Sequence, residues 1–221
     1  MDTRCRRWGF PERADSWLRG ALVVGAFLAA PIAVAEQFDD VPPGHWAAAA
    51  VAIVTGAGVM DGCGGDFFCL DEPITREDMA VWLERGLRGA EFVPPPASGE
   101  FTDVDPSYCL APWIEQLYDD DMTAGCSASP LKYCPYSLLS RAEMAVFLVG
   151  VRHGVDFRPP PCSGIFTDVP CPGYWATDWI EQLFRDEITG GCVVTPLQFC
   201  PFNQVTRAQM AVFLVAGFNL T

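Results

Sequence analysis

Histidine is nearly missing from this sequence, and positive charge is scarce. His45 and His153 are the whole histidine complement, and 14 Lys and Arg side chains face 28 Asp and Glu. Five of the basic residues, Arg4, Arg6, Arg7, Arg13 and Arg19, lie near the N-terminus, so residues 36–221 keep 9 basic against 25 acidic side chains. A surface of that sign has no basic stripe from which counterions can be released, so it repels phosphate backbones and anionic lipid heads; nucleic acid is excluded as a partner. An acidic protein that binds an acidic polymer must do so through a few focused cations rather than its overall field. The shortage of histidine also limits metal and nucleophile chemistry. The cysteines lack the short C-x2-C knuckles of structural zinc sites, and no Ser-His or Cys-His arrangement can be argued. No metal site, cofactor or catalytic residue is expected. The longest apolar run, Ala21 to Ile32, falls short of the ~20 residues that a bilayer-spanning helix needs, and Pro31 sits near its end.

That run, preceded by the five arginines and followed by the small-x-small pattern Ala33-Val34-Ala35, reads as a signal peptide over residues 1–35. The mature chain then begins near Glu36 and is exported to the cell surface, the cell envelope or the medium. Of ten cysteines, Cys5 falls in the leader and nine remain in a disulfide-permissive compartment.

The rest of the chain is one pattern written three times. Phe38-Asp39-Asp40-Val41, Phe101-Thr102-Asp103-Val104 and Phe166-Thr167-Asp168-Val169 open the copies at intervals of 63 and 65 residues. An apolar helical stretch follows, clearest as Trp113-Ile114-Glu115-Gln116-Leu117 and Trp179-Ile180-Glu181-Gln182-Leu183. Each copy then turns at Gly62-Cys63, Gly125-Cys126 or Gly191-Cys192, and a loop ending in a second Cys leads to Ile74-Thr75-Arg76, Leu139-Ser140-Arg141 or Val205-Thr206-Arg207. Ser140-x-x-Glu143 and Thr206-x-x-Gln209 are capping boxes, and Thr75-x-x-Asp78 is a weaker version. Behind each cap runs an apolar stripe at i, i+3 and i+4: Met79, Trp82 and Leu83; Met144, Phe147 and Leu148; Met210, Phe213 and Leu214. These positions predict core contacts, and Trp113 with Leu117 and Trp179 with Leu183 predict buried pairs rather than sugar platforms.

The fold class is therefore mainly α, with helix–loop–helix repeats at residues 36–90, 91–155 and 156–221. One such unit cannot enclose a core alone and must bury its stripe against its neighbours. Phe92-Val93-Pro94-Pro95-Pro96 and Phe157-Arg158-Pro159-Pro160-Pro161 are stiff connectors between copies. The cysteine spacing predicts that each loop is stapled within itself, by Cys63–Cys69, Cys126–Cys134 and Cys192–Cys200, with Cys162–Cys171 as a fourth pair. Cys109 has no evident mate: it is free, joined to another chain, or a sign that one pairing is wrong.

Arg76, Arg141 and Arg207 occupy the first helical position after each cap, where a cation opposes the helix dipole at a cost of a few tenths of a kcal/mol. Two readings account for that recurrence. One is an internal ion pair with Asp40, Asp103 or Asp168. The other is a carboxylate or phosphate site, made by a guanidinium beside free helix N–H groups. If the cation is exposed, as the second requires, its removal should change folding little.

Together, the Phe-x-Asp-Val opening, the Gly turn and the Thr-Arg-Ala-Glu-like helix start resemble the S-layer homology motif of bacterial surface proteins, across almost all of residues 38 to 216. The resemblance implies a pseudo-threefold arrangement around a central helical bundle, with grooves between units that bind acidic cell-wall glycopolymers. Carried onto this chain, it implies that Arg76, Arg141 and Arg207 contact the acidic sugar substituent, with Asp40, Asp103 and Asp168 in support. The first copy departs from the pattern: Glu77 and Asp78 follow its arginine and Ala52-Ile53 replaces Glu-Gln, which predicts a weaker groove. The leading expectation is noncovalent attachment to a wall or envelope polysaccharide. The alternative is a structural or self-assembling surface protein that binds protein partners. An enzyme is not expected: no carboxylate pair stands apart from a solvated face, and Asp119-Asp120-Asp121 reads as such a face, without the Gly and ligand spacing of a calcium loop.

Overall fold

A computed structural model describes Cys5 and residues 38–221 of the chain. Except for Cys5, the expected signal peptide lies outside the described residues. The described chain is mainly helical. Its helices are α1 (Ala48–Gly56), α2 (Arg76–Arg88), α3 (Ala111–Asp119), α4 (Arg141–His153), α5 (Thr177–Arg185) and α6 (Arg207–Phe218). Two hairpins of two-residue strands, β1 (Ser127–Ala128) with β2 (Leu131–Lys132) and β3 (Val193–Val194) with β4 (Leu197–Gln198), follow α3 and α5. None of the described helices is long and apolar enough to cross a membrane.

The capping boxes start α2, α4 and α6. Thr75, Ser140 and Thr206 accept the N–H groups of Asp78, Glu143 and Gln209, whose side chains return the bond to the cap residue. The Asp78 version is as complete as the others. The shorter helices have no side-chain cap and end at left-handed residues: Gly58, Asp121 and Glu187 have φ values of 66°, 56° and 60°. Asp119 and Asp121 of the Asp119-Asp120-Asp121 run are solvent-exposed, as expected of a solvated face, but the run is not all helix. The helix stops within it, and Asp120 takes the Arg88 guanidinium and the Gln116 amide.

The short helix of each repeat packs on the long helix of the repeat before it: α3 on α2, α5 on α4 and, closing the circuit, α1 on α6. Where the long helices begin, backbone hydrogen bonds form a ring. Ile74 N–H donates to Val205, Val205 N–H to Leu139 and Leu139 N–H to Ile74, at 2.9–3.0 Å. All three side chains are fully buried. Because every member of the ring uses both partners, no repeat completes its own hydrogen bonds.

Glu-Gln in α3 and α5 ties down the connectors. Glu115 accepts the N–H groups of Ser98, Gly99 and Glu100 at 2.5–3.0 Å, and Glu181 those of Ser163, Gly164 and Ile165 at 2.7–2.9 Å. Burial works to raise both pKa values, but the convergent N–H groups outweigh it and hold both carboxyls below their ordinary range. The following Gln116 and Gln182 donate to Asp120 and Asp186 at the helix ends.

The structure contains the bridges Cys63–Cys69, Cys126–Cys134, Cys162–Cys171 and Cys192–Cys200. Cys109, which the sequence leaves without a mate, is bonded to Cys5.

Candidate functional site

The three sequence signatures converge at the junctions between repeats. In the second repeat Asp103 accepts the N–H groups of Tyr133 and Cys134 at 2.9 and 2.8 Å, holding the end of the stapled loop. The carbonyl of Tyr133 accepts Nε of Arg76 from the first repeat at 3.0 Å. Asp168 holds Phe199 and Cys200, and the Phe199 carbonyl accepts Arg141 Nε at 2.8 Å. Asp40 holds Phe68 and Cys69, and the Phe68 carbonyl accepts Arg207 Nε at 2.6 Å. The opening aspartate and the helix-start arginine are thus coupled through one peptide group of the next repeat.

The arginines are 6, 4 and 2 % exposed, for Arg76, Arg141 and Arg207 in turn. Each guanidinium lies between two aromatic rings: Arg76 by Tyr133 and Phe147, Arg141 by Phe199 and Phe213, Arg207 by Phe68 and Trp82, at 4.7–5.9 Å. The expected exposed cation beside free helix N–H groups is corrected on both counts. The first two N–H groups of α2 bond to the carbonyls of Ser137 and Pro135, those of α4 to Asn203 and Pro201, and those of α6 to Glu72 and Leu70. The third goes to the cap side chain. The neighbouring loop therefore leaves no helix N–H for an anion.

What remains open is a groove beside the arginine. Arg141 lines one of about 340 Å³ with Trp46, Gly190, Gly191, Gln209 and Phe213. Arg76 lines its counterpart of about 310 Å³ with Thr123, Gly125, Glu143, Phe147 and Trp175. Trp46 and Trp175 are 63 and 62 % exposed and stand immediately before the caps of α1 and α5. An aromatic face, a recessed cation and a polar turn suit a sugar bearing an acidic group. The turn glycines are required: at Gly125, with φ 77°, a Cβ would sit 2.3 Å from the Lys132 carbonyl oxygen.

The sequence predicts Trp113 and Trp179 as members of buried pairs rather than sugar platforms, and sequence reasoning names no groove aromatic. Trp113 is buried and Trp179 partly so, whereas Trp46 and Trp175 supply the groove walls. The available signal was their shared position before the helix; at the corresponding place before α3 stands Cys109.

Burial lowers the Arg141 pKa from its ordinary value, against the opposing influence of the nearby Asp168 carboxylate. Among the described residues, four Cys–acid clusters have ligand atoms close enough for a metal, but each contains both sulfurs of a cystine, which offers no thiolate. His45 accepts the Ala47 N–H and His153 bonds to Asp186 at 2.8 Å.

Residues 37–80 match the S-layer homology domain. That domain is generally involved in cell-wall anchoring, occurs in surface-associated proteins, and binds rather than catalyses. No curated protein matches the chain.

Proposed function

We propose that the chain is a noncovalent anchor to a bacterial cell-wall or envelope polysaccharide, built from three S-layer homology motifs at residues 36–90, 91–155 and 156–221 around a pseudo-threefold axis. Its ligand sits in the grooves between motifs. The observation that carries this reading is the recurrence of one chemical set, a recessed arginine, an exposed tryptophan and a glycine turn, in two grooves of nearly equal volume. Recurrent recessed cations meet the requirement that an acidic protein bind an acidic polymer through focused points. In this reading Arg76, Arg141 and Arg207 present the charge, while Asp40, Asp103 and Asp168 act indirectly by setting the carbonyls that hold them.

Export belongs to the same proposal. Removal of residues 1–35 would take Cys5 from the polypeptide and leave Cys109 joined to the leader through sulfur alone or unbonded. Intact mass of the secreted protein distinguishes these products from uncleaved chain.

The test is co-sedimentation with purified envelope polysaccharide. The wild-type protein should sediment with it, and Trp46→Ala with Trp175→Ala should remove most of that binding while the melting temperature stays within a few degrees, because both side chains are exposed. Equal sedimentation with polymer stripped of its acidic groups would instead favour a surface protein that works through protein contacts.

A further inference from the structure

Residues 36–221 hold nine cysteines, and four bridges, each inside one repeat, use eight of them. The ninth is Cys109, whose mate in the structure, Cys5, belongs to the expected signal peptide. Export sets those two cysteines on opposite sides of a membrane. Arginines ahead of an apolar run keep the N-terminal end on the inner face, while residues beyond the cleavage site cross. Once residues 1–35 are removed Cys5 is gone, and Cys109 is left as an odd thiol in a compartment that favours disulfides.

The place is one that a sulfur from outside the repeats can reach. Cys109 stands immediately before the cap of α3, where Trp46 and Trp175 stand before α1 and α5 and are 63 and 62 % exposed. Cys109 is only partly buried even with Cys5 bonded to it. The Cα–Cα separation of that bond is 5.9 Å, an ordinary disulfide distance, so the backbone need not move to admit a partner. Leu110, the next residue, is fully buried and fixes the sulfur at the start of a packed helix. Alongside, Tyr108 meets Tyr136 edge to face at 6.4 Å, and Tyr136 is 52 % exposed.

Resting on the reading that the leader is removed, we propose that Cys109 is the site of a covalent link to a second copy of this chain. Every copy carries one odd thiol at the same place, so a two-fold axis through a Cys109–Cys109 bond uses both thiols and leaves none. That is the isologous arrangement of most dimers. Tyr108 and Tyr136 then flank the bond in each copy. The bond itself holds the pair, because 9 basic against 25 acidic side chains make the two surfaces repel each other.

An organic disulfide in the exported compartment supplies the oxidation. The Cys109 thiolate of one copy attacks a sulfur of that compound, forming a mixed disulfide and releasing one thiolate. The Cys109 thiolate of the second copy attacks the Cys109 sulfur of the first, and the S–S bond between copies forms as the other thiolate leaves. Two cysteine thiols are thereby oxidised, and the organic disulfide is reduced to two thiols that take up the two protons.

The experiment exports the full chain from a bacterium and blocks free thiols with N-ethylmaleimide at harvest, so that no bond forms afterwards. Intact mass without reduction should equal two copies of residues 36–221, falling to one copy on reduction, and peptide mapping should recover the Cys109–Cys109 crosslink. Cys109→Ser should be exported as a single copy with its melting temperature within a few degrees of wild type, because all four bridges inside the repeats remain. A single copy of residues 36–221 with Cys109 blocked would overturn the proposal and leave leader removal standing. So would Cys109 joined to a small thiol, to the severed leader or to a different protein. An intact Cys5–Cys109 bond in a chain that keeps residues 1–35 would refute both.

Discussion

Replacing Arg207 with alanine tests whether the helix-start arginines hold the repeats together. A cation set against the helix dipole and open to solvent would be lost at little cost, or with a small gain. The buried geometry predicts the reverse. Arg207 Nε donates to the Phe68 carbonyl at 2.6 Å, a nitrogen of the same group reaches the Asp61 carbonyl, and the guanidinium plane lies against Phe68 and Trp82. These contacts join the last repeat to the first, across 139 residues of sequence for the Phe68 bond. A charged donor to a carbonyl contributes about 1.5–3 kcal/mol, and stacking against rings in a desolvated setting adds about 1–2 kcal/mol. Releasing the cation from its buried site returns part of that. The net loss for Arg207→Ala should be about 2–4 kcal/mol. For a chain of this size, that is a fall of roughly 5–15 °C in melting temperature.

Arg207→Lys is the informative companion. It retains the charge but has neither the Nε donor nor the flat surface between two rings, so it should recover less than half of the loss. Differential scanning calorimetry at neutral pH, with circular dichroism to confirm the native helix content, reads both variants. A fall under about 3 °C for Arg207→Ala would refute the reasoning. Full recovery by lysine would show that charge alone matters.

Three further outcomes follow from single sites. Asp103→Ala should destabilise by about 2–4 kcal/mol, since it strips charge-assisted bonds from the Tyr133 and Cys134 N–H groups, and chemical denaturation measures it. Glu84, a fully buried side chain of α2 whose Oε1 lacks a partner, has its pKa raised to about 7 by burial and by the charge of Asp120, against the pull of Arg88. Its neutral form is the one the fold favours, so the stability it permits is complete below about pH 4.5 and is lost as pH rises through 7; Glu84→Gln should match wild type at pH 4 and exceed it by about 1–3 kcal/mol at pH 8 in paired melting curves. Replacing Cys126 and Cys134 together with serine should cost about 2–3 kcal/mol by reopening an eight-residue loop, and peptide mapping without reduction should recover that bridge from the wild type.

Much of the fold was legible because its signals are local. Ser140 and Glu143, or Thr206 and Gln209, lie within one helical turn, so their spacing alone specifies a helix start. The Met144, Phe147 and Leu148 stripe specifies which face is buried, and the cysteines of each stapled loop sit close enough in sequence for spacing to suggest their pairing. The recurrence of Asp103, the Gly125 turn and Arg76 was also visible, but not what joins them. Their connection runs through the Tyr133 peptide, 30 residues from Asp103 and 57 from Arg76.

By itself, then, the sequence determined the units: where each helix starts, which face is apolar, and that no unit can bury that face alone. Tertiary structure decided the role of the charges. Arg76 and Arg141 both start a long helix behind a capping box, and although Glu77 and Asp78 follow Arg76 where Ala142 and Glu143 follow Arg141, neither pair says what packs against the cation. The difference lies in Glu143 and Gln209, each brought beside the arginine of the preceding repeat by packing. Exposure was settled in the same way: Trp113 and Trp175 are both tryptophans at short-helix starts, yet only the arrangement of neighbouring repeats buries one and leaves the other facing a groove. Helix periodicity records which side chains share a face, but burial and electrostatic pairing depend on what another part of the chain places against that face.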